Sequence, residues 1–202
     1  MTNFRTLSVC FDLDGTLIDT APDLVRVLDL VIAEEGLGKT EFSEARKAVG
    51  YGSRALIKGA FARANHEVSQ EREDELQKLF LKLYADDICD LSRPFPGVVD
   101  TLKVLKNNGA ELSICTNKPG YLARPLIDAL GLTSLLASPT TQTIFSAPAD
   151  LANSATHSNI DRPPTWWRTF DRVDFIRVLL PAARITAARG IVIVYSPSIR
   201  RY

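Results

Sequence analysis

An apolar strand that runs directly into two aspartates constrains the fold of this chain more than any other feature. The decapeptide at positions 9–18 reads VCFDLDGTLI. In an open sheet of alternating strands and helices, ligands bind beyond the carboxyl ends of the strands. Asp12 and Asp14 are two residues apart, and this spacing lets both carboxylates face one side of an extended segment. The motif therefore predicts a phosphate and metal site near the N-terminus.

The residues around the two aspartates have a chemical and a purely structural interpretation. Neighbouring carboxylates repel each other unless a cation lies between them, and Mg²⁺ prefers such oxygen ligands. Gly15 permits a tight turn, and Thr16 adds a hydrogen-bond donor and acceptor. The alternative is that the Asp-Gly pair marks only a turn. The spacing by itself leaves both interpretations open.

Three segments resemble, in the same order, segments of the haloacid dehalogenase superfamily, and specifically of its phosphoglycolate-phosphatase-like branch. FDLDGTLIDT at 11–20 resembles the first motif of the superfamily. ELSICTNK at 111–118 resembles the second, because an apolar strand ends in a hydroxyl, an amide and a cation. RPFPGV at 93–98 resembles the return from a helical cap to the core. The resemblance implies a phosphatase of small phosphorylated metabolites.

Periodicity along the chain predicts alternating strands and helices. A strand over 7–13 is followed by a helix that Asp23 is placed to cap. Its apolar stripe has helical spacing, at Leu24, Val27, Leu28, Val31 and Ile32. Further helices are predicted at about 71–85, 98–108 and 121–130, and a further strand at 110–115. The helix at 71–85 has one apolar face, formed by Leu76, Leu79, Phe80, Leu83 and Tyr84. This alternation predicts an α/β fold with a Rossmann-like, doubly wound parallel sheet. The resemblance adds an inserted α-helical cap, so that 1–19 and 93–137 form the core, 20–92 the cap, and 138–202 an atypical segment.

The resemblance also implies a role for each residue of the two motifs. Asp12 is the nucleophile, Asp14 is the general acid and base, and Thr116 donates a hydrogen bond to phosphate. Mg²⁺ is held by Asp12 and by the backbone carbonyl of Asp14. The phosphate cradle is completed by Gly15, Thr16, Asn117 and Lys118.

One arginine of the predicted cap is a second kind of candidate. Arg54 follows Gly50-Tyr51-Gly52-Ser53, which resembles the segment that faces the substrate in phosphoglycolate phosphatases. Its forked donors suit the carboxylate of a small acid phosphate. The alternative is a solvent-facing arginine at the start of a helix.

The composition changes after about residue 137. Residues 139–202 contain no lysine and no glutamate but eight arginines, whereas the first 138 residues hold all eight lysines and all nine glutamates. The lysine of the family's third motif is therefore absent. For the acids of the fourth motif, Asp171 and Asp174 are either substitutes or solvated charges, and no acid follows the strand-like run at 190–195. Without the family's C-terminal strands, part of the sheet is expected to lie unpaired.

Two explanations for this break remain open, and so does the activity of the chain. Either the last third has diverged or been replaced, or the reading frame shifts after about residue 137, which the composition favours. Reading the other two frames of the DNA for a Lys-Pro and a Gly-Asp motif tests the second explanation. The functional alternatives are another small-molecule phosphatase or a phosphosugar mutase of this superfamily, and a catalytically impaired remnant.

Composition favours a cytoplasmic protein with a small phosphate ester as its partner. The 24 basic and 24 acidic residues cancel, so the net charge suggests neither a nucleic acid nor a membrane surface. No signal peptide or membrane-spanning stretch is evident. Cys10, Cys89 and Cys115 lack metal-ligand spacing and are expected to be buried reduced thiols. His66 and His157 are too isolated to predict a histidine site. The sequence does not predict an oligomeric state.

Overall fold

A five-stranded sheet forms the centre of the protein. We use a computed structural model of the chain, which describes residues 8–136, 144–146, 184–188 and 191–195. The sheet has the strand order β5-β4-β1-β7-β6, and its strands span Ser8–Phe11 (β1), Glu111–Thr116 (β4), Ile144–Ser146 (β5), Arg184–Ala188 (β6) and Ile191–Tyr195 (β7). Strand β1 therefore lies in the middle, paired on both sides.

The sheet is parallel except at one edge. Strand β1 pairs in parallel with β4 and β7, and β4 pairs in parallel with β5. Strand β6 is antiparallel to β7, so the predicted doubly wound parallel sheet carries one antiparallel strand at this edge. Within the strand-like run at 190–195, residues 191–195 form β7, which pairs with the side of β1 opposite β4. The expectation that part of the sheet lies unpaired is therefore not met at β1.

The core has three described helices, of which the first two were predicted from the sequence and the third, a single turn, was not. Helix α5 spans Val98–Asn107, α6 spans Gly120–Ala129 and α7 spans Thr133–Leu136. Their apolar faces pack with β1 and β4 in one hydrophobic cluster, which includes Phe11, Leu102, Ile114, Leu126 and Leu132. The predicted boundaries of α5, α6 and β4 differ from these by one residue. Strand β1 is shorter than predicted, because the chain leaves the sheet before Asp12.

Four helices are inserted between two short strands. Strands β2, Ile18–Asp19, and β3, Arg93–Pro94, form an antiparallel pair where the chain leaves the core and returns. Between them lie α1 (Ala21–Ala33), α2 (Phe42–Arg46), α3 (Ser53–Ala64) and α4 (Gln70–Asp86). We call the segment from α1 to α4 the helical insertion. It has its own hydrophobic cluster, in which α4 packs against α1 and α3.

Asp23 joins the two ends of the helical insertion instead of capping α1. Helix α1 begins at Ala21, with Thr20 as its N-cap residue, so the predicted capping role of Asp23 is wrong. The fully buried Asp23 carboxylate accepts hydrogen bonds from the backbone N–H of Leu91 (3.1 Å) and Ser92 (2.7 Å) and from the Ser92 hydroxyl (2.6 Å). Arg26 approaches the same carboxylate at 3.4 Å. A buried charge thereby connects the start of α1 to the segment just before β3.

The remaining predictions about composition concern single side chains. The three cysteines are free, as expected, but they are half-buried rather than fully buried. His66 contacts Glu35 at 3.3 Å within the helical insertion, and His157 lies outside the described residues. None of the helices that the structure describes has the length and apolar character needed to cross a membrane.

Candidate active site

The carboxyl ends of β1 and β4 bring the two sequence motifs together. The strands run in parallel with Phe11 opposite Ile114, so both chains leave the sheet at the same edge. Asp12 follows the last residue of β1, and Thr116 is the last residue of β4. The segments 12–16 and 116–118 consequently lie side by side at the end of the sheet where ligands bind in folds of this class.

A tight turn after β1 sets the direction of the first motif. The Leu13 carbonyl accepts hydrogen bonds from the backbone N–H of Leu17 (3.1 Å) and Ile18 (3.0 Å). Gly15 has φ +76°, a conformation that glycine adopts without the steric penalty of a side chain. The buried Thr16 hydroxyl then donates to Asp12 Oδ2 at 2.9 Å. The turn therefore fixes the orientation of the Asp12 carboxyl.

Asp12 is an acid held in an environment that disfavours its charge. Burial of the carboxyl, followed by the negative charge of Asp14, raises the pKa of Asp12 to about 7. The hydrogen bond from Thr16 and the positive charge of Lys118 act in the opposite direction but are weaker. A desolvated carboxylate of this kind is a more reactive nucleophile than a solvated one, and shifts of this size are typical of functional sites.

Lys118 forms a buried ion pair with the second aspartate. Its Nζ lies 3.1 Å from Asp14 Oδ1 and 3.3 Å from Oδ2, and its side chain is only 4% exposed. The backbone N–H of Lys118 donates to Thr116 Oγ1 at 3.1 Å, which ties the ion pair to the end of β4. Lys118 was predicted to contact substrate. In the structure, its ammonium contacts the Asp14 carboxylate.

Two residues of the helical insertion reach the site, and the sequence did not predict their contacts. The Tyr84 ring of α4 lies under Lys118, with Nζ 4.3 Å from the ring centroid. The Gly50 carbonyl is 3.5 Å from Asn117 Nδ2, at the limit of a hydrogen bond. Tyr84 was predicted only as part of the apolar face of its helix, which it is. A tyrosine among leucines and a phenylalanine was the one signal that this position does more than fill the core.

Arg54 lies in the first turn of α3 and is paired with acids of α4. Its Nη2 donates to Asp74 Oδ1 at 2.6 Å, and its Nη1 lies 3.5 Å from Glu73 Oε1. The hydrogen bond from Arg54 is the main cause that lowers the pKa of Asp74. Arg54 is therefore neither free nor fully solvated. A substrate carboxylate would have to displace the Asp74 carboxylate to bind its guanidinium.

The donor atoms at the end of β1 suit a magnesium ion that keeps most of its water. The resemblance implies two oxygen donors, the Asp12 carboxylate and the Asp14 carbonyl. Mg²⁺ is commonly held by one or two carboxylates together with substrate phosphate and water. The raised pKa of Asp12 agrees with such a site, because a cation bound nearby would favour the ionised carboxylate and lower this pKa. Within the described residues, no group of three or more acidic, histidine or cysteine side chains forms a ready metal cage.

The fourth-motif candidates, Asp171 and Asp174, lie outside the described residues. Strand β7 ends beside β1, at Tyr195, and the seven residues that follow it, SPSIRRY, contain no acid. The structure thus supplies a strand beside β1, but the sequence after it offers no carboxylate.

Comparison with known proteins identifies relatives of this chain. The family model of the haloacid dehalogenase-like hydrolases matches residues 8–155. A phosphoglycolate phosphatase of Caulobacter vibrioides is 43% identical over 148 residues, which are 73% of this chain and 60% of that protein. An N-acetylmuramic acid 6-phosphate phosphatase of Pseudomonas aeruginosa is 33% identical over 131 residues, or 65% of this chain and 57% of that protein.

A solved structure shares the fold. The crystal structure of a predicted phosphoglycolate phosphatase from Haemophilus somnus 129pt superimposes with a TM-score of 0.61 at 26% identity. The match covers 76% of this chain and 71% of the other. The chain spans about three fifths of the length of the curated relatives that it matches.

Proposed function

The chain belongs to the haloacid dehalogenase-like hydrolase family, and from this membership we propose that it is a magnesium-dependent phosphatase of a small phosphorylated metabolite, most consistent with 2-phosphoglycolate. The observation that carries the proposal is the pair of acids after β1. One is the desolvated Asp12, held by Thr16, and the other is Asp14, held by Lys118. The two carboxyls therefore have different surroundings, as a nucleophile and an acid–base partner require.

The first half of the proposed reaction transfers the phosphoryl group to Asp12. A carboxylate oxygen of Asp12 attacks phosphorus, and the bond between phosphorus and the ester oxygen breaks. In this step Asp14 acts in its protonated form and gives that proton to the departing alkoxide, which leaves as the alcohol. The product is an aspartyl-phosphate at residue 12, and Asp14 is left as a carboxylate beside the Lys118 ammonium.

The second half returns the enzyme to its starting state. Asp14 removes a proton from water, whose oxygen attacks phosphorus and releases inorganic phosphate and the Asp12 carboxylate. The hydroxyl of Thr116 and the amides near Leu13 and Asn117 donate hydrogen bonds to phosphate oxygens, where charge develops in the transition state. The Gly15 amide, also expected there, already donates to the Ile18 carbonyl at 2.8 Å. Magnesium held by Asp12 and the Asp14 carbonyl would supply charge neutralisation between the carboxylate and the phosphate.

The absent family residues predict a slow enzyme. Neither a third-motif lysine nor a fourth-motif acid follows Lys118 in the expected context. Losing one preorganised charge stabiliser typically lowers a rate by about 10²- to 10³-fold. A catalytically impaired remnant is therefore the alternative that the sequence itself favours, and the assay must be sensitive to low turnover.

Phosphate release from 2-phosphoglycolate and from an aryl phosphate, with and without Mg²⁺, tests the proposal. The native chain should release phosphate only with Mg²⁺, and Asp12→Asn should fall to the rate of the protein-free sample. Asp100→Asn is the matched control, because the same change is made at an exposed acid in the first turn of α5. Equal rates for the native chain and Asp12→Asn would remove the enzyme interpretation and leave the remnant. Turnover of a phosphosugar without phosphate release would favour a mutase.

Carboxylate recognition by Arg54 is the part of the proposal that concerns substrate choice. We expect Arg54→Gln to raise KM for 2-phosphoglycolate by about tenfold or more, because a forked, charge-assisted contact is lost. KM for an aryl phosphate without a carboxylate should not change. Asp74→Asn should have the opposite effect on 2-phosphoglycolate, since it releases the guanidinium from its present partner. A parallel change for both substrates would show that Arg54 acts only through the packing of α3 on α4.

The remaining parts of the proposal concern organisation and location. The helical insertion would act as a cap over the site, and the core would consist of 1–19 and 93–137. We further propose that the protein acts in carbohydrate metabolism in the cytoplasm. Neither a nucleic acid nor a membrane is proposed as a partner.

A further inference from the structure

Lys118 is enclosed by groups from both halves of the protein. On one side, its Nζ contacts both oxygens of Asp14 in the core. On the other, it lies 4.3 Å from the centroid of the Tyr84 ring, which belongs to the helical insertion. An ammonium over an aromatic ring is attracted by the partial negative charge of the ring face, and more strongly where water is excluded. Measured over the whole residue rather than the side chain, Lys118 is 6% exposed and Tyr84 is 1% exposed. Their contact is therefore largely desolvated.

The Tyr84 ring is held rigidly in its place. Helix α4 packs against α1 and α3, and the Phe80 ring lies one turn before Tyr84 with the two centroids 6.4 Å apart. The buried Tyr84 hydroxyl finds no hydrogen-bond partner among the residues that the structure describes. Tyr84 therefore contacts Lys118 through its ring face, and the structure describes no hydrogen bond from its hydroxyl to the site.

We propose that Tyr84 is a positioning residue, whose ring holds the Lys118 ammonium against Asp14 and thereby links the packing of α4 to the acid–base group. This inference rests on the proposed function, because it assigns Asp14 that role. Tyr84 touches neither substrate nor reacting atoms in the proposal. It acts through Lys118.

The charges around Lys118 explain why its position matters. Lys118 carries the positive charge shared by the two aspartates, since its charge also lowers the pKa of Asp12. An ammonium released from the ring could move from Asp14 towards Asp12 and neutralise the attacking carboxylate. It would at the same time leave the Asp14 carboxyl free to rotate. Either change lowers the rate of the chemical step without removing a contact to the substrate.

Steady-state kinetics with 2-phosphoglycolate and Mg²⁺ provide the first test. Tyr84→Phe keeps the ring and should retain kcat within about twofold. Tyr84→Leu removes the ring, and we expect kcat to fall about tenfold with KM nearly unchanged, the signature of an interaction needed in the transition state. Phe61→Leu is the matched control, because it removes another buried ring from the same hydrophobic cluster, one whose ring contact is with His66. It should lower stability and keep kcat.

A spectroscopic readout separates positioning from activity. In protein labelled at lysine ε-carbons, the Lys118 ε-protons should resonate upfield of the other lysines, because they lie over a ring face. Lys118→Arg assigns the signal. The upfield shift should persist in Tyr84→Phe and Phe61→Leu and vanish in Tyr84→Leu. If Tyr84→Leu does not fold, Tyr84→Met serves as the ring-free variant, since its flexible side chain fills irregular space.

The two readouts distinguish the two proposals. If the native chain and Asp12→Asn hydrolyse equally, the proposed function fails, and the lysine spectrum still decides whether Tyr84 positions Lys118. If the native chain is active, an unchanged kcat in Tyr84→Leu would overturn the link to the acid–base group. A Lys118 signal that stays in the same place without the ring would overturn the positioning itself.

Discussion

Asp12→Asn is expected to make the metal-free protein more stable than the native chain at pH 8, by up to about 4 kcal/mol. The pKa of Asp12 rises from an ordinary value of 3.8 to about 7 on folding, and this difference sets the size of the effect. Well below pH 4 the carboxyl is protonated in both the folded and the unfolded protein. Between about pH 4 and 7 only the unfolded protein releases the proton, so folding loses stability as the pH rises. Asparagine is neutral throughout and avoids this loss.

Urea unfolding in the presence of a chelator, at pH 4.5 and at pH 8, measures the effect. The advantage of Asp12→Asn should be about 4 kcal/mol at pH 8 and only about 1 kcal/mol at pH 4.5. Asp14→Asn is the informative neighbour, because it leaves Lys118 buried without its partner and should destabilise the fold. Identical stabilities of native chain and Asp12→Asn at pH 8 would show that the Asp12 carboxyl is well solvated. Added Mg²⁺ should stabilise the native chain at pH 8 but not Asp12→Asn, a test of the metal site without catalysis.

The sequence predicted those parts of the fold that depend on local periodicity. The helical stripe after Asp23 is buried at all five positions that the spacing indicated, Leu24, Val27, Leu28, Val31 and Ile32. On α4, Leu76, Phe80 and Tyr84 are buried as predicted, whereas Leu79 and Leu83 are only partly buried. Periodicity identifies the face of a helix, because side-chain direction follows from its geometry. It does not indicate how far a face extends or what packs on it.

The sequence also predicted that the two motifs meet, but not how their side chains pair. Parallel strands with ligands at their carboxyl ends place Asp12–Asp14 and Thr116–Lys118 at one edge. Whether Lys118 binds phosphate, Asp12 or Asp14 depends on the register of β1 and β4 and on the approach of Tyr84. These are long-range facts, absent from local spacing. Arg54 illustrates the same limit, since its partner Asp74 lies on the next helix.

The C-terminal strands show that an apolar, β-branched sequence can form a paired strand without the motif that usually follows it. The run IVIVY at 191–195 is strongly apolar and β-branched, and it pairs in parallel with β1. Its pairing requires backbone hydrogen bonds and an apolar face, neither of which depends on the family's acids. The frame-shift hypothesis for the change in composition stays a prediction, which the DNA reading tests.

Asp23→Ala is the other substitution with a large expected effect, a loss of about 4 kcal/mol of folding free energy. Hydrogen bonds to a charged acceptor contribute roughly 1.5–3 kcal/mol each, and three such donors converge on Asp23. Two of the donors belong to Ser92, which is fully buried, so water cannot replace the carboxylate there. Asp23→Asn, which keeps one oxygen acceptor, should lose about half as much. Urea unfolding at neutral pH measures the loss of folding free energy in each variant.

The position of these bonds predicts a local effect that an ordinary core mutation would not produce. Asp23 connects the start of α1 to the segment before β3, and we call this junction the hinge of the helical insertion. Removal of the carboxylate should open the hinge under conditions in which the sheet is still folded. We expect the Ser92 amide hydrogen to exchange much faster in Asp23→Ala, while the amides of β1 and β4 stay protected. Asp90→Ala is the control at the same hinge, because Asp90 is half exposed and 3.9 Å from Arg26. Its removal should cost less than about 1 kcal/mol. Equal losses in the two variants would mean that the hinge is held by surface charge rather than by the buried carboxylate.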